Sequence, residues 1–191
     1  RSHVAIERSK TKDNLRQTLE QLFEKPVNLA ENFYEVSLSN SNPLLHPARL
    51  YTMWGDWQPG IVYPRNPQFY AEWTLEASTL LLQMDEELQQ LLPVLGLPKG
   101  CIPPVLDYYE ACDAESLTQK LRSIKAFKGI LSPMKAVEDG FVPDFSSRYF
   151  TEDFPYGMRF IVETARQYHA AIPTINKIYQ WGLNIINQKN K

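Results

Sequence analysis

The apolar residues of this chain recur mainly at helical spacing, and prolines separate the segments in which they do so. Residues three and four positions apart share one face of an α-helix, so such a stripe can pack against a core. Proline lacks an amide hydrogen and disfavours helical backbone angles in the residue before it, so it ends a segment. On this basis we predict helices over residues 13–24, from 43 or 44 to about 54, 68–92, 105–111, 115–124, 157–170 and 174–187.

Alternation of apolar and polar residues, which is typical of a half-buried β-strand, hardly occurs in the sequence. Residues 32–39 (NFYEVSLS) are the one possible strand. Thr174 stands where the last helix should begin, and we expect its hydroxyl to cap the first amides of that helix. The pattern therefore predicts an all-α fold, a single domain of roughly seven or eight helices.

The composition is that of one globular domain without special electrostatic partners. The 191 residues are 43% hydrophobic and 22% charged, and the formal net charge is −2, which argues against nucleic acid or an anionic membrane as a partner. Cys101 and Cys112 are too few for a disulfide framework or a zinc site. The first residues are polar and lack the apolar segment of a signal peptide, so we expect a cytoplasmic protein.

The sequence contains no motif for binding the phosphates of a nucleotide. Its eight glycines are scattered, so neither a G-x-G-x-x-G turn nor a Walker loop can be drawn. Asp85, Glu86 and Glu87 are expected on the solvated face of the long helix, because no histidine lies nearby to complete a metal site. We therefore predict no cofactor-binding and no metal-binding residues in this chain.

The segment NPLLHP, at residues 42–47, contains the first candidate for proton transfer. Pro47 restricts the backbone of His46, and Asn42 precedes it by four residues, so the imidazole could be held in one orientation. A general acid or base requires such a fixed imidazole. The alternative is a histidine at a helix start with a structural hydrogen bond. His3, in the terminal tail, and His169, near a helix end, have structural interpretations.

The segment RYFTEDFPYG, at residues 148–157, supplies charged groups that would complement an imidazole. Asp153 either caps the following helix or orients an imidazole and stabilises its protonated form. The planar guanidinium of Arg148 suits a substrate carboxylate, but it can equally pair with Asp144, Glu152 or Asp153. From the residues alone both interpretations stay open, and so does the role of Glu152.

These two segments, in this order, resemble the C-terminal helical domain of the octopine/nopaline (opine) dehydrogenase family. The resemblance extends over most of the chain and includes MDEEL at residues 84–88 and IPTI at residues 172–175. It implies an all-α domain similar to the C-terminal domain of 6-phosphogluconate dehydrogenase. Family members also carry an N-terminal Rossmann domain, which is absent from this chain, and residues up to about 30 would correspond to the approach from it.

The resemblance also implies an activity, cofactors and site residues. Family members reductively condense an amino acid with a 2-oxo acid such as pyruvate, using NAD or NADP bound mainly by the N-terminal domain, so this chain alone should be inactive. His46 matches the catalytic histidine, Asp153 its paired carboxylate and Arg148 the arginine that holds a substrate carboxylate. Asn42 could hold the oxo acid. A homodimer is plausible for such a domain.

Two other functions compete with this one. The chain could be the helical domain of another 2-oxo acid, imine or hydroxy-acid reductase of the same superfamily. It could also be a non-catalytic helical module for interaction or dimerisation, in which His46 and Asp153 are merely structural.

The catalytic interpretation makes a geometric prediction that a structure can check. The side chains of His46 and Asp153, which lie far apart in the sequence, should approach within hydrogen-bond distance in a cleft that Arg148 also lines. Side chains of His46 and Asp153 on opposite faces of the fold would contradict it.

Overall fold

The computed structural model describes residues 2–4, 12–30 and 32–188, and over these ranges the protein is mostly helical, as the sequence pattern predicts. The helices are α1 (Lys12–Phe23), α2 (Phe33–Leu38), α3 (Asn42–Trp54), α4 (Leu75–Val94), α5 (Val105–Tyr109), α6 (Ala114–Ser123), α7 (Arg148–Thr151), α8 (Arg159–Gln167) and α9 (Pro173–Gln188). A short 3₁₀ turn covers Lys125–Phe127, and a π-helical segment, Asp153–Met158, joins α7 to α8. The strands are β1 (Ser2–Val4), β2 (Val27–Leu29), β3 (Met134–Val137) and β4 (Gly140–Pro143).

Helices α3, α4 and α9 and the π segment surround the core. Apolar residues at helical spacing supply it from each helix, as Leu81 and Leu88 do on α4 and Ile175 and Ile178 on α9. Large aromatic side chains, including Trp54 and Trp73, are fully buried among them. Within the described residues, no helix is long and apolar enough to cross a membrane.

The long helix α4 begins seven residues later than the apolar pattern predicts. Thr74 is extended, and its side chain accepts a hydrogen bond from the amide of Ala77, which is the geometry of an N-cap. Residues 68–74 form an irregular segment before it, where the Glu72 carboxylate accepts from the amide of Gln68 at 2.8 Å and pairs with Arg65. The predicted start at residue 68 is therefore wrong, because a local cap outweighs apolar periodicity there.

The acidic residues of α4 do not form one solvated face. Asp85 is buried, and its carboxylate accepts from the amide of Val105, the first residue of α5, at 2.9 Å. Glu87 accepts from the amides of Thr174 and Ile175 at 2.7 and 2.9 Å, so it caps α9. Only Glu86 is exposed as predicted. Carboxylates satisfy the unpaired amides of a helix N-terminus especially well, so α4 fixes where α5 and α9 begin.

The predicted cap at Thr174 is wrong, because the carboxylate of Glu87 caps α9 instead. Helix α9 begins one residue earlier, at Pro173, so Thr174 lies inside the helix rather than before it. Its amide is bonded by the carboxylate of Glu87. The cap comes from a residue distant in the sequence, so the sequence near α9 does not reveal it.

The predicted strand at residues 32–39 is also wrong. Phe33–Leu38 form α2, and the side chain of Asn32 caps it by accepting from the amide of Glu35 at 3.2 Å. An asparagine N-cap favours a helix even where a short segment alternates in polarity.

The antiparallel hairpin of β3 and β4 was not predicted, although its turn carries a recognisable signal. The turn consists of Glu138 and Asp139, and Gly140, the first residue of β4, completes a D-G pair of the kind found at hairpin turns. Gly140 has a φ of 145°, and a Cβ atom there would collide with the carbonyl oxygen of Tyr63, which pairs with Phe141. The hairpin therefore requires glycine at this position.

Strands β1 and β2 form a second small sheet, in which they pair in parallel with α1 as the connection. Within the described residues they pair only with each other. Parallel strands usually belong to larger sheets with both faces covered. This strand–helix–strand unit precedes the helical bundle and differs from it in construction.

Replacement of Glu87 by alanine should weaken the attachment of α9 to α4. Two amides at the start of α9 lose their acceptor, so we expect Glu87→Ala to lower the free energy of unfolding by about 1–2 kcal/mol in urea titrations. Glu86→Ala, next to it on the exposed side, should change stability by less than about 0.5 kcal/mol. Equal effects of the two substitutions would contradict the capping role.

Candidate active site

His46 lies in the second turn of α3, with Pro43 in the first turn and Pro47 directly after it. Pro43 suits a helix start because its missing amide hydrogen would have no intrahelical partner there. Both His46 and Pro47 are helical, and the ring of His46 points into the protein with 12% of its side chain exposed.

Asp153 is the first residue of the π segment and lies 2.8 Å from His46, measured from Oδ2 to Nδ1. The predicted approach of these two side chains is confirmed. An ionised carboxylate can only accept a hydrogen bond, so Nδ1 of His46 carries the hydrogen. Asp153 therefore fixes the orientation and the tautomer of the imidazole. It lies inside the π segment rather than capping a following helix, which was its alternative role.

Two glycines allow the π segment to fit between α3 and α9. A Cβ atom on Gly157 would collide with the ring of Pro43, and one on Gly182 would collide with the ring of Phe154. The backbone of the π segment can thus approach both helices closely enough for Asp153 to reach His46. Single π-helical turns are rare and occur frequently at functional sites.

Tyr70 binds the other ring nitrogen of His46. Its hydroxyl lies 2.8 Å from Nε2, and only 5% of the residue is exposed. Burial raises the pKa of Tyr70 well above its ordinary value, so the phenol stays neutral. The sequence does not reveal this residue, because the apolar pattern predicts a helix over the irregular segment in which Tyr70 stands. No local motif identifies it.

A cleft of about 290 Å³ opens beside His46 and brings together the four predicted site residues. Its lining consists of Asn42, His46, Arg148, Tyr149, Glu152 and Asp153. The ring of Tyr149 meets that of His46 edge-on, with 4.6 Å between centroids. A larger cavity, of about 590 Å³ beside α2, α4 and α5, shares none of these lining residues. The predicted site residues therefore all lie at the smaller cleft.

Arg148 lies at the rim of the cleft and forms a bidentate ion pair with Glu152. Its Nε and Nη2 atoms donate to the two carboxylate oxygens of Glu152 at 2.9 and 3.0 Å, and 86% of its side chain is exposed. The hydrogen bond from Arg148 lowers the pKa of Glu152. Exposed pairs of this kind contribute little free energy, so another carboxylate can take the place of Glu152 at small cost. Salt bridge and substrate clamp are therefore compatible roles.

The helical fold, the His46–Asp153 pair and the adjacent arginine together define a candidate acid–base site in an enzyme domain. The family model described as "NAD/NADP octopine/nopaline dehydrogenase, alpha-helical domain" matches residues 29–186. The chain belongs to this family.

Known relatives extend this assignment to full sequences and solved structures. Octopine dehydrogenase from Pecten maximus is 31% identical over 95% of this chain, which corresponds to 48% of that protein. A structure of octopine dehydrogenase with NADH and L-arginine matches 98% of this chain and 50% of its own, with a TM-score of 0.82 and 29% identity. One with NADH and pyruvate matches with a TM-score of 0.80 and 30% identity, covering 95% of this chain and 47% of its own. The chain thus spans about half the length of these relatives.

Replacement of Gly157 by alanine should separate His46 from Asp153. The added methyl group meets Pro43, so the π segment and α3 must move apart at an overpacking cost of about 1–3 kcal/mol in unfolding free energy. We also expect the ¹H NMR resonance of the hydrogen on Nδ1 of His46 to move or broaden.

The neighbouring Tyr156→Ala is a suitable control, because 73% of Tyr156 is exposed. It should leave both the stability and the resonance nearly unchanged. A Gly157→Ala protein with the stability and spectrum of the parent would show that close packing at Gly157 does not position Asp153.

Proposed function

We propose that this chain is the substrate-binding and catalytic helical domain of an NAD(P)-dependent opine dehydrogenase. In this function an amino acid and a 2-oxo acid such as pyruvate are condensed to an imine, which is then reduced. The observation that carries the proposal is the hydrogen-bonded His46–Asp153 pair beside a cleft, with an arginine at the rim. The relative solved with NADH and L-arginine, and with NADH and pyruvate, supports the substrate class.

His46 is the proton donor in this mechanism. As the amino nitrogen attacks the carbonyl carbon of the oxo acid, the protonated imidazole gives its proton to the carbonyl oxygen, which becomes a hydroxyl. The neutral imidazole then takes a proton from the amino nitrogen and gives it to this hydroxyl, which leaves as water and yields a protonated imine. Asp153 stabilises the imidazolium before this transfer and holds the ring in place during it. When bound, the nicotinamide supplies the hydride that reduces the imine carbon.

Arg148 and Asn42 hold the substrates. We infer that a substrate carboxylate displaces Glu152 from Arg148 and binds the guanidinium through two parallel hydrogen bonds. Glu152 then keeps the guanidinium oriented while the cleft is empty. Asn42, on the turn of α3 before His46, offers an amide that can donate to the oxo acid.

We propose that a Rossmann domain, rather than the helical bundle, binds most of the dinucleotide. None of the described residues belongs to a glycine-rich phosphate loop, and the chain corresponds to about half of its relatives. The parallel pair of β1 and β2 supports an adjoining α/β domain, since such strands usually belong to larger sheets. Which of NAD and NADP is used would be set there.

Homodimer formation and a cytoplasmic location remain part of the proposal.

The decisive experiment measures oxidation of NADH and NADPH by the full-length protein that carries this chain. Pyruvate is supplied with each member of a panel of amino acids, and the product is identified by mass spectrometry. We expect turnover only when both an amino acid and an oxo acid are present. Turnover with the oxo acid alone would instead indicate a hydroxy-acid reductase, and no turnover with any pair would contradict the proposal.

Substitution of His46 tests the proton donor in the same assay. We expect His46→Asn to lower kcat by about 10²–10⁴-fold, which is the usual contribution of a positioned acid or base. His169→Asn is the matched control, because His169 has a φ of 55° and asparagine tolerates that backbone conformation. It should retain the parent rate within about twofold. Full turnover by His46→Asn would exclude His46 as the donor.

A further inference from the structure

We propose that Tyr70 is a positioning residue for His46, because its hydroxyl donates to Nε2 of the neutral ring and so holds the ring in the tautomer that Asp153 requires. The inference rests on the proposed function in so far as His46 is the group that moves a proton. The contact itself is a feature of the fold and can be tested without any turnover.

The two hydrogen bonds of the His46 ring determine which group donates in each. Asp153 accepts from Nδ1, so the Nε2 atom of the neutral ring has no hydrogen and must accept. The donor to Nε2 is then the hydroxyl of Tyr70, at 2.8 Å. With both nitrogens bonded, a 180° flip of the ring would cost both hydrogen bonds. The ring therefore keeps one orientation.

Of the two side-chain groups bonded to the imidazole, only the hydroxyl can donate to the neutral ring and accept from the protonated ring. When His46 is protonated, Nε2 carries a hydrogen and the oxygen of Tyr70 becomes the acceptor. The hydrogen of Tyr70 must then turn to another oxygen. Tyr149, which lines the cleft, is near enough to contribute to the raised pKa of Tyr70. The observed hydrogen bonds run from Asp153 through both nitrogens of His46 to Tyr70.

Tyr70 itself is held rigidly as a neutral phenol. Phe127 stacks on its ring with 4.0 Å between centroids, and Trp73 lies nearly parallel to it at 6.1 Å. Desolvation in this aromatic surrounding disfavours the phenolate. The hydroxyl therefore keeps its hydrogen while its direction can rotate.

The backbone that carries Tyr70 is anchored to the same helix as His46. Arg49, three residues after His46 on α3, donates to the carbonyl oxygen of Glu72 at 2.7 Å and to the hydroxyl of Thr74 at 3.3 Å. Arg122 donates to the carbonyl oxygen of Trp73 at 2.7 Å. Two arginines thus hold the three consecutive residues 72–74, which begin two positions after Tyr70, and they set its distance from His46.

Burial of the Arg49 guanidinium costs free energy, which argues for a role beyond stability. The residue is buried, its Nε atom has no hydrogen-bond partner, and burial lowers its pKa to about 10. Glu72 and Glu76 interact with this charge but form no ion pair with it, so its burial is only partly offset. Such groups are found where function requires a fixed geometry. Here the geometry that it fixes is the segment that leads to Tyr70.

Replacement of Tyr70 by phenylalanine tests the proposal, because it removes one oxygen and leaves the ring packing intact. In ¹⁵N NMR of this chain, the parent should show His46 with hydrogen on Nδ1 and a hydrogen-bonded Nε2. In Tyr70→Phe the Nε2 resonance should move toward that of an unbonded acceptor nitrogen. In the full-length protein kcat should fall on the order of tenfold, the rate equivalent of one hydrogen bond, with little change in KM.

Tyr179→Phe serves as the matched control, since Tyr179 is a comparably buried tyrosine on α9. It should leave the ¹⁵N spectrum of His46 and the rate unchanged. Unaltered His46 resonances in Tyr70→Phe would overturn the proposal, and so would an altered spectrum with the parent kcat. If the parent shows no opine dehydrogenase activity, the proposed function fails, while the NMR comparison still decides whether Tyr70 positions His46.

Discussion

The hydrogen bond between His46 and Asp153 is the contact on which the candidate site depends. It joins residues 107 positions apart, one on α3 and one on the π segment, and it is partly shielded from water. A half-buried imidazole and carboxylate are costly unless each satisfies the other, so the two elements must meet with little tolerance. Gly157 makes that approach possible because it leaves room for Pro43.

Helix α4 determines where the elements around this contact lie. Its Asp85 and Glu87 carboxylates occupy the N-termini of α5 and α9, which fixes the axes of both helices relative to α4. Helix α9 in turn supports the π segment where Gly182 accommodates Phe154. Polar groups that would cost free energy if buried alone therefore hold the helices of the bundle together.

The site itself combines a rigid interior with an exchangeable rim. His46 and Tyr70 are held by aromatic packing and by the hydrogen bonds of both ring nitrogens, which suits groups that must keep their orientation during proton transfer. The ion pair of Arg148 and Glu152 is exposed and screened by water, so its partner can change with little loss of free energy. Fixed acid–base groups and a replaceable carboxylate partner are what a reaction between two charged substrates requires.

The sequence by itself determined the helical class, the positions of the main helices and the two segments that carry His46 and Arg148 with Asp153. Apolar periodicity and proline positions are local properties, and they suffice for the helices. The two segments stood out through their resemblance to a known family. The tertiary structure alone decided the roles of Glu87 and Tyr70. Glu87 caps a helix 87 residues away, and Tyr70 bonds to a ring 24 residues before it. A helix N-terminus accepts any carboxylate within reach, and a ring nitrogen any hydroxyl, so only the folded chain selects the partner.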